Sequence, residues 1–247
     1  MRLDKFLCDM NKGTRSQMKK DIKAGLVTVN GATVTRPEYA VDERSDEVCY
    51  QNTPCIYERY VYYMLYKPSG VVSATEDRKE RTVVDLLAAE GRDDLFPVGR
   101  LDKDTEGLLI LTNDGELAHA LLSPKKHVEK EYECLLAQPL TAQQAKQLGQ
   151  GVDIGEKKLT KPAKVKLLPE RTKGAGQNTV IALTITEGKF HQVKKMLQAV
   201  GNEVLYLKRI RMGSLVLDET LQKGAYRRLQ AAEIDALLRE RKEERHD

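Results

Sequence analysis

At 247 residues the chain is long enough to bury one large core or two modest ones. With 40% hydrophobic and 32% charged residues it has the balance of a folded, polar-leaning protein, not of a disordered or membrane-spanning one. A formal net charge of +4 is too small to argue nucleic-acid binding from totals, so any such role rests on where the charges lie.

Cys8, Cys49, Cys55 and Cys134 show no CxxC spacing, and His119, His127, His191 and His246 form no HExxH or His-x3-His pair. No metal site is therefore expected, and scattered thiols fit a reducing compartment. No apolar leader follows Met1 and Arg2, and no run approaches membrane-spanning length. The expectation is a soluble cytoplasmic protein, and no oligomer signal argues against a monomer.

In chain order, Leu3, Phe6, Leu7 and Met10 recur at helical spacing and predict an amphipathic helix with Arg2, Asp4, Lys5 and Asp9 turned outward. Gly13 breaks it. Thr14-Arg15-Ser16-Gln17 has the form of a capping box and opens a second helix through Met18 and Ile22, ending near Gly25. Arg15, Lys19, Lys20 and Lys23 gather on or beside its polar face, which suits either RNA phosphates or plain solvent. Asn30-Gly31 between Leu26–Val29 and Ala32–Thr35 is a type I′ hairpin signal.

Gln51-Asn52-Thr53-Pro54 is polar and turn-prone, so the domain boundary is placed there. This gives a small domain over 1–53, a linker over 54–59, a large domain over 60–238 and a charged tail over 239–247. The run from Tyr60 to Tyr66 predicts a strand stopped by Lys67-Pro68-Ser69-Gly70. Thr82 caps a helix through Leu87. Gly99 to Gly115, GRLDKDTEGLLILTNDG, combines an irregular loop from Arg100 to Gly107 with a buried strand closed by a turn at Asn113-Asp114-Gly115. Asp102, Asp104 and Glu106 on that loop read either as a site at the mouth of a strand or as solvated charge.

Beyond it the pattern gives a helix from Glu116 to Leu122, a strand from Glu129 to Leu136 and a capped helix from Thr141 to Leu148. An alternating strand follows from Lys157 to Leu168, then a hairpin tip at Gly174-Ala175-Gly176 and a strand from Thr179 to Thr186. Glu187 to Met196 opens a helix whose apolar side is Phe190, Val193, Leu197 and Val200. A strand from Val204 to Leu207 leads into Lys208-Arg209-Ile210-Arg211, which offers further basic side chains to RNA. Ala231 to Leu238 closes as a helix. Strands outnumber helices and no βαβ repeat recurs, so the expected class is α+β with a mixed, mostly antiparallel sheet flanked by helices.

The string GRLDKDTEGLLILTNDG resembles the signature of RsuA-type pseudouridine synthases, which modify uridines in ribosomal RNA. TRSQMKKDIKAGLVTVNG, within about Met1 to Tyr50, resembles the S4 RNA-binding domain that commonly precedes their catalytic domain. The resemblance implies a pseudouridine synthase sheet domain, with Asp102 catalytic, Lys194 of EGKFHQVKKMLQAVGN as its ionic partner and Tyr132 of Lys130-Glu131-Tyr132 as the aromatic lying on the flipped base. It places Arg15, Lys19, Lys20 and Lys23 against RNA. It adds Arg100, which alternatively steadies the loop, His191, which alternatively is a hydrogen-bonded structural histidine, and Gln192.

Converting uridine to pseudouridine breaks and remakes a glycosidic bond without net oxidation, so no cofactor is expected. It calls for an ionised carboxylate beside the ribose, as nucleophile or as base, and for a uridine turned out of its stack. Leu159 to Val165 and FHQVKKM are closer to enzymes acting on 16S RNA, free or in the assembling small subunit. The alternatives are a 23S enzyme of the same family and a non-catalytic ribosome-assembly factor. Asp102 with Glu106 also has the form of a glycosidase pair, but with no Trp the sugar platforms are sparse.

Overall fold

The computed structural model describes residues 1–172 and 179–242, so the hairpin tip expected at Gly174-Ala175-Gly176 and the tail beyond 242 lie outside the described residues. The chain divides into two compact units, Met1–Val61 with Ala89–Asp94, and Tyr62–Ala88 with Leu95–Asp247.

In the first unit, α1 (Leu3–Asp9) and α2 (Arg15–Lys23) pack on a four-stranded antiparallel sheet of β1 (Val27–Val29), β2 (Ala32–Thr33), β3 (Val48–Tyr50) and β4 (Thr53–Cys55). Leu3, Phe6, Leu7, Met18 and Ile22 bury against Val27, Val29 and Val48, as their spacing requires. Asn30 at φ 50° and Gly31 at φ 78° make the expected β1–β2 turn.

Three expectations change here. Asp4 is not turned outward: it is fully buried, held by two 2.9 Å bonds from the Arg2 guanidinium, which keep its carboxyl below the usual range. The capping box is half formed, since Thr14 Oγ1 accepts from Gln17 N while the Gln17 amide donates to Asp21. The polar stretch at Gln51-Asn52 is a hairpin turn, not the start of a linker. Both residues have positive φ, and β4 pairs back on β3, so the first unit runs to Val61.

The second unit is built on a nine-stranded sheet among the described residues. Its strands are β5 (Tyr62–Lys67), β6 (Phe96–Pro97), β7 (Glu106–Thr112), β8 (Lys130–Leu136), β9 (Lys164–Leu167), β10 (Thr179–Ile185), β11 (Val204–Met212), β12 (Leu215–Val216) and β13 (Tyr226–Arg228). The order is β13, β5, β7, β11, β8, β10, β9, with β6 on β7 and β12 on β11. Among the described strands of this sheet only the β7–β11 pair is parallel, so the sheet is mixed and mostly antiparallel as expected. Helices α3 (Gly115–Leu122), α4 (Ala142–Gln150), α5 (Pro169–Thr172), α6 (Gln192–Ala199) and α7 (Ala231–Lys242) complete it.

Several boundaries move for local reasons. Asp114 is not in a positive-φ turn but is the N-cap of α3, its Oδ1 accepting from Leu117 N at 3.0 Å. The strand expected from Lys157 shrinks to Lys164–Leu167, because Pro162 has no ladder donor and Leu159 stands 59% exposed. The segment after Thr82 is a 3-10 turn, Asp85–Glu90, pinned by reciprocal Thr82 and Asp85 bonds. Lys208 to Arg211 do not form a row of free cations. Arg209 is buried with its Nε donating to Leu108 O, Arg211 pairs with Glu129 and Glu131, and Lys208 sits over the Tyr66 ring.

Gly107 is where β7 meets β11. At φ 107° it lies against the Arg209 backbone, and a Cβ there falls 2.2 Å from Arg209 O. Gly107→Ala is expected to cost about 3 kcal/mol or more in urea denaturation, since strain and overpacking add. Gly155→Ala, also at positive φ but facing open space, should cost only about 1 kcal/mol. Equal costs would show that the close β7–β11 approach does not govern stability.

Candidate active site

Asp102 lies on the loop that leads into β7, and that loop is gripped by backbone and side chains from the end of β5 onward. Ser73 Oγ donates to Leu101 O at 2.9 Å and accepts from Leu101 N at 3.0 Å, while Gly70 N donates to Lys103 O at 2.8 Å. Lys67 Nζ donates to the carbonyls of Pro68 at 3.0 Å, Lys103 at 3.2 Å and Thr105 at 2.9 Å. Thr105 N returns a bond to Asp102 O at 3.0 Å. The backbone on both sides of Asp102 is thus fixed before any ligand arrives, which is how a reacting group avoids reorganisation.

Lys67 was read from sequence only as a strand end. It is fully buried, and burial pulls its ammonium down to about 8, against the opposing pull of Asp104, Asp102 and Glu106. A lysine closing a strand of aromatic and apolar residues, directly before Pro68, was the signal available for it.

The second wall comes from the loop between β10 and α6. The helix starts at Gln192, later than expected, because His191 is left-handed at φ 52°. Gln192 is buried; its Oε1 accepts from Lys189 N at 2.8 Å and its Nε2 donates to Glu187 Oε1 at 2.7 Å, so its amide holds the loop. Phe190, expected on the apolar side of the helix, is instead 68% exposed.

The two loops meet at the carboxylate. His191 Nε2 lies 3.5 Å from Asp102 Oδ1, and Lys194 Nζ 3.5 Å from Asp102 Oδ2. Lys194 makes its shorter contact, 2.6 Å, with Asp104 Oδ1, and so bridges two carboxylates instead of serving Asp102 alone. That bond holds Asp104 below the usual carboxylate range. Asp102, Tyr132, Arg100 and Leu207 line one open cleft with His191.

Tyr132 stands on β8 with 8% of its surface exposed, opposite Arg209 in β11 and Leu183 in β10. Lys130 precedes it by two residues on the same pleat face and is buried too; burial draws it down to about 8, with Arg209 and Lys161 adding to the effect. At the start of β7, burial pushes Glu106 up, but bonds from Lys223 at 2.7 Å and the Tyr206 hydroxyl at 2.5 Å outweigh it and keep its carboxyl low. Glu106 is engaged there, which removes it as a second glycosidase carboxylate beside Asp102.

Arg15, Lys19, Lys20 and Lys23 are all exposed along α2, with Arg15 Nε 3.4 Å from Asp4. They form the basic face that the sequence suggested. Among the described residues no helix is long and apolar enough to cross a membrane.

The Asp102 carboxylate thus stands between an imidazole and an ammonium, in a cleft that a strand tyrosine also lines, and comparison with known proteins gives the class of the chain. Residues 61–199 match the family model for RNA pseudouridylate synthase, and residues 1–48 match that of the S4 domain. The chain is 50% identical over 238 residues to an uncharacterized RNA pseudouridine synthase, YtzG, of Bacillus subtilis, covering 96% of this chain and 98% of that one. It is 41% identical to the ribosomal small subunit pseudouridine synthase A of Vibrio cholerae, over 96% and 99% of the two chains. A pseudouridylate synthase crystal structure superposes with a TM-score of 0.65 at 38% identity, covering 96% of this chain and 99% of that one. The chain belongs to the RNA pseudouridine synthase family, and is an isomerase acting on RNA.

Proposed function

We propose that the protein converts a uridine of 16S ribosomal RNA to pseudouridine, in the cytoplasm, with Asp102 as the reacting carboxylate. The observation that carries this is the pair of 3.5 Å contacts from His191 and Lys194 to the two oxygens of Asp102, in a cleft lined by Tyr132. A carboxylate held at that distance by two nitrogen groups is positioned for either attack at the ribose or removal of a sugar proton. The uridine leaves its stack to reach the carboxylate, and the Tyr132 ring receives the base. The small-subunit assignment is supported by the relatives at about 40% identity, whose names carry that subunit.

The test uses RNA tritiated at uridine C5: 16S transcripts, partly assembled small subunits and 23S transcripts, with release counted for each. Release from small-subunit RNA supports the proposal, and sequencing then locates the nucleotide. Release from 23S RNA alone overturns the subunit and keeps the reaction. No release from any substrate, with tight RNA binding, makes the protein an assembly factor.

The basic face of α2 serves in this proposal to dock the RNA. Replacing Lys19, Lys20 and Lys23 by Glu is expected to weaken binding more than tenfold and to flatten the slope of log affinity against log salt by about 2 to 3. Filter binding across a salt series measures both, and an unchanged slope would remove α2 from the interface.

A further inference from the structure

Phe190 lies between Lys189 and His191, both of which line the Asp102 cleft, yet its own ring is 68% exposed. Water-exposed phenylalanine is costly to keep, and here it is held in place. His191 is in the left-handed conformation, at φ 52° and ψ 33°, which turns the chain just before α6. The buried Gln192 amide ties down the Lys189 nitrogen and the Glu187 carboxylate from below. The Phe190 ring then stacks on the His191 ring, centroids 3.7 Å apart and planes 21° apart, and His191 reaches Asp102 on its far edge. A flat apolar surface is therefore fixed two rings away from the carboxylate.

The surroundings of that ring are cationic. Lys195 Nζ sits 5.2 Å from its centroid. Lys189 Nζ donates to the carbonyls of Lys158 at 3.0 Å and Leu159 at 3.4 Å, which brings exposed Lys157, Lys158 and Leu159 alongside. An exposed ring surrounded by ammonium groups matches a nucleic-acid strand, whose bases present π faces and whose phosphates carry the charge.

We propose that Phe190 is a stacking site for a nucleobase of the RNA, one flanking the uridine that enters the Asp102 cleft. The proposal rests on the function given above. A base displaces Lys195 from the ring readily: a cation over an exposed ring is worth about 2- to 5-fold in equilibrium, and a base stacked on an aromatic about 5- to 150-fold. The displaced ammonium is then free to meet the adjoining phosphate.

The sequence holds no Trp, so Phe190→Trp carries the sole indole of the protein. Its fluorescence should be quenched by a uridine decamer and left unchanged by an abasic decamer of equal charge. In turnover, Phe190→Leu should raise KM for the RNA that releases tritium by about 5- to 150-fold, with kcat within about threefold. Phe190→Tyr should restore KM. No quenching by the uridine decamer, or equal quenching by the abasic one, overturns the proposal, as does a wild-type KM in Phe190→Leu. Failure of the wild type to release tritium from any RNA would instead strike the proposed reaction, and the quenching experiment would still decide the stacking site.

Discussion

Asp102→Asn is expected to bind RNA as the wild type does while losing at least about a thousandfold in tritium release, the scale on which removal of a reacting or proton-transferring group is felt. The substitution preserves shape and removes only charge. The fold should not register it: the Asp102 side chain is 25% exposed and its ionic contacts are long, at 3.5 Å. The structural duty at this position falls to the main chain, whose carbonyl accepts from Thr105 N. Lys194 keeps its 2.6 Å partner Asp104 in the variant, so no ammonium is stranded. Stability in urea should therefore change by less than about 0.5 kcal/mol, as for surface substitutions away from special features. Retained turnover would overturn Asp102 as the reacting group. Loss of turnover together with loss of folding would show instead that the loop depends on the carboxylate charge.

Much of this site was legible because its signals are local. Leu108 to Leu111 announced a buried strand, and Thr141 announced a capped helix, which in the structure closes reciprocal bonds with Gln144. Asn30-Gly31 and Gln51-Asn52 show where locality ends. Both pairs have positive φ, but only the first was read as a hairpin, since turn chemistry does not say whether the next strand pairs back. His191 was placed inside a helix because its neighbours have helical periodicity, and one left-handed residue reverses that placement and exposes Phe190. Asp102 and Lys194 came from the family pattern, whereas the sharing of Lys194 with Asp104 depends on a loop shape that no spacing reports. The partners of Lys67 were hidden for the same reason. Two of its three acceptors lie 36 and 38 residues away, so its place at the end of an apolar strand hints at burial without saying what it holds.

Lys67→Met tests that buried donor, and it should cost about 2 to 5 kcal/mol in urea denaturation. Methionine fills the space of the lysine stem and brings no proton, so the carbonyls of Pro68, Lys103 and Thr105 lose their shared donor. Lys103 O keeps its bond from Gly70 N, so the loss falls on the Pro68 and Thr105 carbonyls at about 1 to 3 kcal/mol each, offset by the desolvation that the ammonium no longer bears. Activity should fall further than stability alone explains. Lys103 and Thr105 lie on the loop that carries Asp102, the proposed reacting group, and a shift of about 1 Å in such a group costs on the order of a hundredfold in kcat. KM should move little, because Lys67 is fully buried and does not line the cleft. The pH dependence separates this role from simple packing. In the folded protein the ammonium gives up its proton near pH 8, whereas the unfolded chain holds it to about 10.4. Between those values the unfolded state binds more protons, so wild-type stability gains with rising pH relative to Lys67→Met, by at most about 1.4 kcal/mol per pH unit. That gain is complete above about pH 10.4 and is lost as the pH falls through about 8. A stability gap flat from pH 7 to about pH 10 would mean that Lys67 titrates as a solvated lysine. An unchanged kcat would mean that the Asp102 loop holds its shape without it.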